Sequence, residues 1–255
     1  MTWSKAGQIV WHDLFTSDRE RSMEFYKRVA NWTYQVERAT DFAWGGGEKE
    51  FVLALSGDEA GAGFAETPSH QENGWIAYIE VPDVDAAVQR VDALGGSIMR
   101  QPFEVPGVGR NALVRDPLGA LLGISLSRHS YPVPRRQFGP DVYVSHGDDF
   151  PELFYAELFG WRVSPEQRME GRNIHGPSGN LVAVRHSATW PSGAKAAWVP
   201  CIKATPVSDG RRVAEANGAR PAFEDVNKTV QVKTIILLDP NGAPFALDVE
   251  QTSIF

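Results

Sequence analysis

Apolar positions along this chain recur with two different spacings, and the switches between them mark its elements. Trp11-His12-Asp13-Leu14-Phe15 is short and predicts a strand. The rhythm then changes: Ser22, Phe25, Val29 and Trp32 recur at helical spacing and give one apolar face. Ser17-Asp18-Arg19-Glu20 precedes that face and fits a capping box, in which hydroxyl and carboxylate satisfy the orphan N–H groups of a first helical turn. Strands are predicted next at Thr33–Glu37, Phe42–Trp44 and Phe51–Leu55, separated by turns at Gly45-Gly46-Gly47 and Gly57-Asp58. Gly61 to Glu66 lacks the last glycine of a dinucleotide fingerprint and reads as a crossing loop. The order is strand, helix, three strands.

That order repeats. Trp75–Val81 predicts a strand, Asp83 a helix cap, and Ala87, Val88, Val91 and Leu94 the apolar face of a second helix. Gly95-Gly96 ends it, because glycine accepts the left-handed conformation of a C-cap. Strands near Ser97–Met99, Asn111–Val114 and Leu121–Leu126 follow, the last two joined by an Asp116-Pro117-Leu118-Gly119 turn. Two signatures then return further along. Phe25-Tyr26 with Asn31-Trp32 reappears 129 positions on as Phe154-Tyr155 with Gly160-Trp161, and Asp116-Pro117 reappears 123 positions on as Asp239-Pro240-Asn241-Gly242. The fourth unit draws on Val199–Ala204 and a helix over Asp209–Ala216. Leu126–Pro140 carries Pro132, Pro134 and Pro140 and reads as a linker, dividing the chain into domains 1–130 and 131–255.

Composition narrows the setting. The 255 residues suffice for two ordinary cores. No stretch approaches the roughly 20 apolar residues of a spanning helix, so no membrane partner is expected. The N-terminus lacks the charged-then-apolar pattern of a secretory signal. With that and a single cysteine, Cys201, which reads as a buried apolar thiol, the cytoplasm is the expected compartment. A net charge of −7 and the absence of a basic cluster beyond Arg135-Arg136, which reads as a solvated turn, argue against nucleic acid.

Four consecutive βαβββ units joined two and two resemble the vicinal-oxygen-chelate superfamily, which includes glyoxalase I, extradiol dioxygenases and bleomycin-resistance proteins. The carriers are Asp18 with Phe25-Tyr26, Asp83-Val84-Asp85-Ala86-Ala87 with Leu94-Gly95-Gly96, Arg115-Asp116-Pro117-Leu118-Gly119, and the second-half signatures above. The resemblance implies an α+β fold: four βαβββ modules paired into two glyoxalase-like domains, each a curled mixed sheet. It also implies a cup whose inward side chains bind a divalent metal. The usual slots are a His seven residues before the helix-initiating Asp and a Glu four residues after the Gly of Asp-Pro-x-Gly. Here those slots hold Trp11, Ile76 and Gly123 in the first half, and Ala246 with Pro140 or Asp141 in the second. Three protein ligands are the usual minimum, so the usual metal site is expected to be missing and no cofactor is expected.

Strand alternation assigns the faces. Trp11, Asp13 and Phe15 fall on the cup side, with Ile76, Tyr78 and Glu80 from the equivalent strand and Leu121, Gly123 and Ser125 from the last. The candidate ligand-binding set is Trp11, Asp13, Phe15, Trp44, Tyr78, Glu80 and Ser125. Either these line an open small-molecule pocket, or the aromatic rings fill a collapsed cup. His12 falls on the opposite face and reads as a hydrogen-bonded histidine between sheet and helix; a β-bulge would re-aim it and make His12 and Glu80 metal ligands. In the second half, Asp248, Tyr143 and Ser145 are read as inward, His146 as facing the helix and His175 as exposed.

Three functions compete at this point. One is a protein that binds a small organic molecule without metal, as the resemblance to bleomycin-resistance proteins implies. Another is a metal-dependent lyase or dioxygenase with an unusual ligand set. The third is a scaffold, with Trp3 or Trp190 at a protein interface or in a homodimer.

Overall fold

The computed structural model describes residues 5–67, 73–147, 149–164, 173–190, 193–206, 209–223 and 234–248. The chain enters β1 (Ile9–Thr16), turns into α1 (Arg19–Ala30) and returns as β2 (Thr33–Phe42), β3 (Gly45–Ser56) and β4 (Glu59–Glu66). Asp18 caps α1 by accepting from the Arg21 N–H at 3.0 Å, one residue beyond the serine favoured by sequence. The order then recurs as β5 (Gly74–Glu80), α2 (Val84–Val91), β6 (Ser97–Val105), β7 (Gly109–Arg115) and β8 (Leu121–Ser127). Asp83 caps α2 through the Ala86 N–H, and Gly95 stands at φ 82° where the helical segment ends.

These strands form one sheet in the order β2-β3-β4-β1-β5-β8-β7-β6. Units one and two therefore pair with each other through the antiparallel contact of β1 with β5. The outer strands β2 and β6 approach one another, so the sheet is curled into a cup. Both helices lie on its convex face.

The second half repeats the plan with shorter strands: β9 (Asp141–Ser145), α3 (Glu152–Phe159), β10 (Arg162–Val163), β11 (Asn173–His175), β12 (Leu181–Ser187), then β13 (Ala196–Val199), β14 (Cys201–Ile202), α4 (Gly210–Ala216), β15 (Arg220–Pro221), β16 (Thr234–Leu238) and β17 (Pro244–Asp248). Its strands order as β10-β11-β12-β9-β13 and β14-β17-β16-β15. Pro200 separates β13 from β14, and a proline has no N–H to give a ladder. Joined across Pro200, the two orders reproduce that of the first sheet.

The halves pack helix layer to helix layer, α1 against α4 and α2 against α3. Two core clusters fill that seam, one around Tyr26, Trp32, Trp75 and Phe245, the other around Tyr143, Tyr155, Trp161 and Trp198. The Asp-Pro turns reach across it reciprocally. Asp116 of the first half accepts from the hydroxyls of Tyr143 at 2.6 Å and Tyr155 at 2.9 Å, and Tyr155 in turn accepts from the Trp198 indole. Asp239 of the second half accepts from Tyr26 at 3.4 Å, and Tyr26 accepts from Trp75. Burial pushes both carboxyls up, Asp239 to about 6.

Three sequence expectations are corrected here. Gly61 to Glu66 is not a crossing loop but strand β4, parallel to β1. Its alanines and glycines hide the β pattern because neighbouring groups lie against the backbone: a Cβ at Gly63 would fall 1.8 Å from the Phe51 ring. The first hairpin turns at Ala43-Trp44, since Phe42 pairs with Gly45 and the glycine run continues β3. The Pro-rich segment is also more than a linker. The Glu59 carboxylate accepts from the N–H groups of Arg135, Arg136 and Gln137 at 2.8 to 3.1 Å, pinning it to the start of β4. No helix among the described residues is long and apolar enough to cross a membrane.

Candidate functional site

Strand β1 sends consecutive side chains to opposite sides. His12 enters the seam between the halves, where its Nε2 lies 2.9 Å from the Asp141 carboxylate and its ring stacks on Phe138. Both members of that pair are 1% exposed. No bulge turns His12 into the cup: the pairing with β5 runs in regular register from Trp11 to Phe15.

Trp11 and Asp13 point into the concave face. The Trp11 indole N–H donates to Asp13 Oδ1 at 2.7 Å, and the Tyr78 hydroxyl lies near enough to the same carboxylate to favour its ionised form. Asp13 is 7% exposed. Burial is the dominant influence on it and raises its carboxyl from 3.8 to about 6, against the opposing influence of Trp11, Tyr78 and His12. Its ionised form is therefore costly, and it titrates close to neutral pH.

These groups line a cavity of about 280 Å³. Phe51 and Leu53 of β3, Phe103 and Val105 of β6, Asn111 of β7 and Ser125 of β8 complete its walls, and the Pro106–Val108 turn with Glu37 and Arg38 forms its rim. His129 and Tyr131 close one side. Burial is the chief cause, and Lys5 a lesser one, holding the His129 imidazole down at about 4, so it is neutral at ordinary pH. Two walls are aromatic rings seated on glycine: Phe51 lies over Gly63, and Tyr78 over Gly123, where a Cβ would fall 2.1 Å from the ring.

Of the residues proposed from sequence, Trp11, Asp13, Tyr78 and Ser125 meet at this cavity. Phe15 and Trp44 do not line it; they pack edge to face at 6.0 Å within the cup's apolar cluster. Glu80 is also off the cavity, with Oε2 accepting from the Ser127 N–H at 3.0 Å and burial raising its carboxyl. His12 and Glu80 lie on opposite faces of the sheet. In the second half Tyr143 faces the seam, because β9 begins at Asp141, the counterpart of His12 at the 129 offset. Ser145 donates to the Asp149 carbonyl, and His146 is exposed with Nδ1 on Thr189, not turned to a helix. His175 is half-buried. Cys201 is buried. Trp190 is buried against Phe223 in its own half, while Trp3 and the Asp248 side chain lie outside the described residues. Phe51 and Leu53 were readable from period-two spacing, Asn111 only as a polar residue within a strand. His129 and Tyr131 gave no signal, following the last strand of their half in a Pro-rich run.

A family model described as the Glyoxalase/Bleomycin resistance protein/Dioxygenase superfamily matches residues 7–124. The chain belongs to this superfamily. Among its superfamily relatives is "Putative glyoxylase CFP32" of Mycobacterium tuberculosis, 30% identical over 177 residues, which are 66% of this chain. The chain spans 66% of that relative's length. "Anthracycline biosynthesis protein DnrV" of Streptomyces peucetius is 29% identical over 140 residues, 49% of this chain and 48% of that protein. Among solved superfamily structures, the 2,3-dioxygenase LapB from Pseudomonas sp. KL28 aligns with a TM-score of 0.58 over 95% of this chain and 92% of its own, at 14% identity. The Mn(II)-bound glyoxalase from Novosphingobium aromaticivorans aligns with a TM-score of 0.53 over 96% and 83%, also at 14% identity. At such identities the likeness is one of fold.

The donor set of the superfamily metal does not fit the residues at the centre of this cup. Trp11 faces Tyr78 across β1 and β5, and Tyr78 faces Gly123 across β5 and β8. The indole of Trp11, the aliphatic side chain of Ile76 and the bare backbone of Gly123 occupy the positions where imidazole and carboxylate would be needed, and Tyr78 between them offers only a phenol. Among the described residues, no group of three or more His, Cys, Asp and Glu side chains is placed to hold a metal ion.

Proposed function

We propose that this superfamily member binds a small organic molecule in the cup of its first half, and that binding does not use the superfamily's divalent metal. The observation that carries the reading is the cavity itself: aromatic walls from Trp11, Phe51, Tyr78 and Phe103 around one buried carboxylate, Asp13. A concave apolar site with few convergent polar groups is the usual form of a small-molecule pocket. Phe15 and Trp44 pack with Tyr78 in the cup's apolar cluster without lining the cavity, so the cup is filled in part and keeps an open space beside Trp11, Asp13 and Tyr78. The names of the relatives, a glyoxylase and an anthracycline biosynthesis protein, agree with a small organic ligand without choosing one.

The test has two arms. Untagged protein is incubated with excess Mn²⁺, Fe²⁺, Ni²⁺ and Zn²⁺, desalted and analysed for metal. A panel of neutral, anionic and cationic aromatic molecules is then screened by thermal shift, with and without a chelator. The expected result is no stoichiometric metal and chelator-insensitive stabilisation by some of the panel. Near-stoichiometric metal lost in Glu80→Ala or Asp13→Ala, or stabilisation that vanishes with the chelator, would overturn the metal-free reading.

A further inference from the structure

The cavity joins aromatic faces to a carboxylate whose charge is poorly compensated on the side where a ligand would sit. Asp13 accepts from the Trp11 indole at 2.7 Å and lies beside the Tyr78 hydroxyl, both neutral groups. The remaining group that favours its ionised form is His12, which leaves the strand on the opposite face and is hydrogen-bonded to Asp141. At the rim, Glu37 and Arg38 are adjacent, exposed and opposite in sign. On the far wall, His129 is a neutral ring 5.6 Å from Trp11. Arg100 of β6 does not line the cavity; its guanidinium is stacked on the Phe103 ring at 3.6 Å, and its charge acts on the Tyr78 hydroxyl and is not among the influences on Asp13.

Resting on the reading of this cup as a ligand site, we propose that it selects an organic cation: an amine or quaternary ammonium on an aromatic or aliphatic frame. The charge would sit against Asp13 and the frame against Trp11, Tyr78 and Phe51. Three physical effects favour that class. Aromatic faces attract cations through the ring quadrupole, tryptophan most strongly. A carboxylate attracts a cation through its charge, with a hydrogen bond added where the cation is an amine, and both the ring and carboxylate attractions grow where water is excluded. A neutral molecule of the same shape gains only the apolar contact and leaves the desolvated carboxylate without relief.

The deciding experiment compares two probes of nearly identical shape. Benzyltrimethylammonium and its uncharged carbon isostere, neopentylbenzene, are titrated into the full chain at pH 8 by calorimetry, with the change in intrinsic tryptophan fluorescence that is lost in Trp11→Phe as a second readout. The cation is expected to bind at least about tenfold more tightly than the isostere. In D13N that preference is expected to fall to about threefold or less. Equal or tighter binding of the isostere to the parent protein overturns the cation assignment while leaving the ligand-site reading intact. Failure of both probes and of every molecule in the panel overturns both. A preference that survives unchanged in D13N removes Asp13 from the role. Should D13N not fold, the ratio of the two probes on the parent protein decides alone.

Discussion

Two carboxylates lie on either side of strand β1, and their surroundings could hardly differ more. On the seam side Asp141 is paired at 2.9 Å with His12, whose ring is stacked on Phe138. On the cup side Asp13 is equally sequestered, yet it faces open space, and burial raises its carboxyl to about 6. One-residue alternation along a strand thus separates a charge that is compensated inside the protein from one that is not. A buried charge held without full compensation costs stability, and such sites are more often kept for binding than for folding. The seam is where this chain is built; the cup is where it has room for something else.

The comparison is open to attack by substitution, and the largest effect belongs to the seam. Asp141→Ala leaves His12 buried without its partner and is expected to cost about 3–5 kcal/mol in urea unfolding. The double replacement of His12 and Asp141 by leucine should recover most of that, because the pair's desolvation disappears with its attraction. A single-variant loss below about 1 kcal/mol would show the pair to be incidental. Next comes the cup wall. Gly123→Ala places a methyl in the Tyr78 ring and is expected to cost about 1–3 kcal/mol while lowering ligand affinity, since the ring can move only into the cavity. Unchanged affinity would mean that Tyr78 does not bound the binding space. The smallest effect separates the two reciprocal Asp-Pro turns. Tyr155→Phe should cost about 1–2 kcal/mol, because its hydroxyl both donates to Asp116 at 2.9 Å and accepts from Trp198 at 2.8 Å. Tyr26→Phe should cost less, its bond to Asp239 being 3.4 Å long.

Much of this division was legible in the sequence, and the reason is locality. The cap at Asp83, the stop at Gly95 and the Asp-Pro turns depend on a few neighbouring residues, so short motifs report them. The cap of α1 was read within one residue, at Ser17 where Asp18 makes the bond. Alternation placed His12 away from the cup and Trp11, Asp13 and Tyr78 toward it. What failed depended on contacts from afar. Strand β4 is built of small residues because Phe51 and Pro134 lie on its glycines, so the strand carries no β-branched signature. His129 and Tyr131 join the cavity from a segment with no period at all. Tyr143 was read one register off, although the 129-residue offset already matched Asp141 to His12. Phe15 and Trp44 share the cup's face but not its cavity, a distinction of position along the strand that alternation cannot make.

Asp13 is held in the cup at a cost to the fold. In the folded chain its carboxyl keeps its proton up to about pH 6, whereas the unfolded chain releases it near 3.8. The folded state therefore binds more protons across that window, and stability falls as pH rises through it, with the full penalty present above pH 6. The direct measurement is the unfolding free energy of the parent protein and Asp13→Asn at pH 4 and pH 8. The two should agree within about 1 kcal/mol at pH 4, and the variant should be more stable by about 3 kcal/mol at pH 8. A variant that is equally or less stable than the parent at pH 8 would show Asp13 to be a structural group like Asp141, and the cup would lose its claim to function.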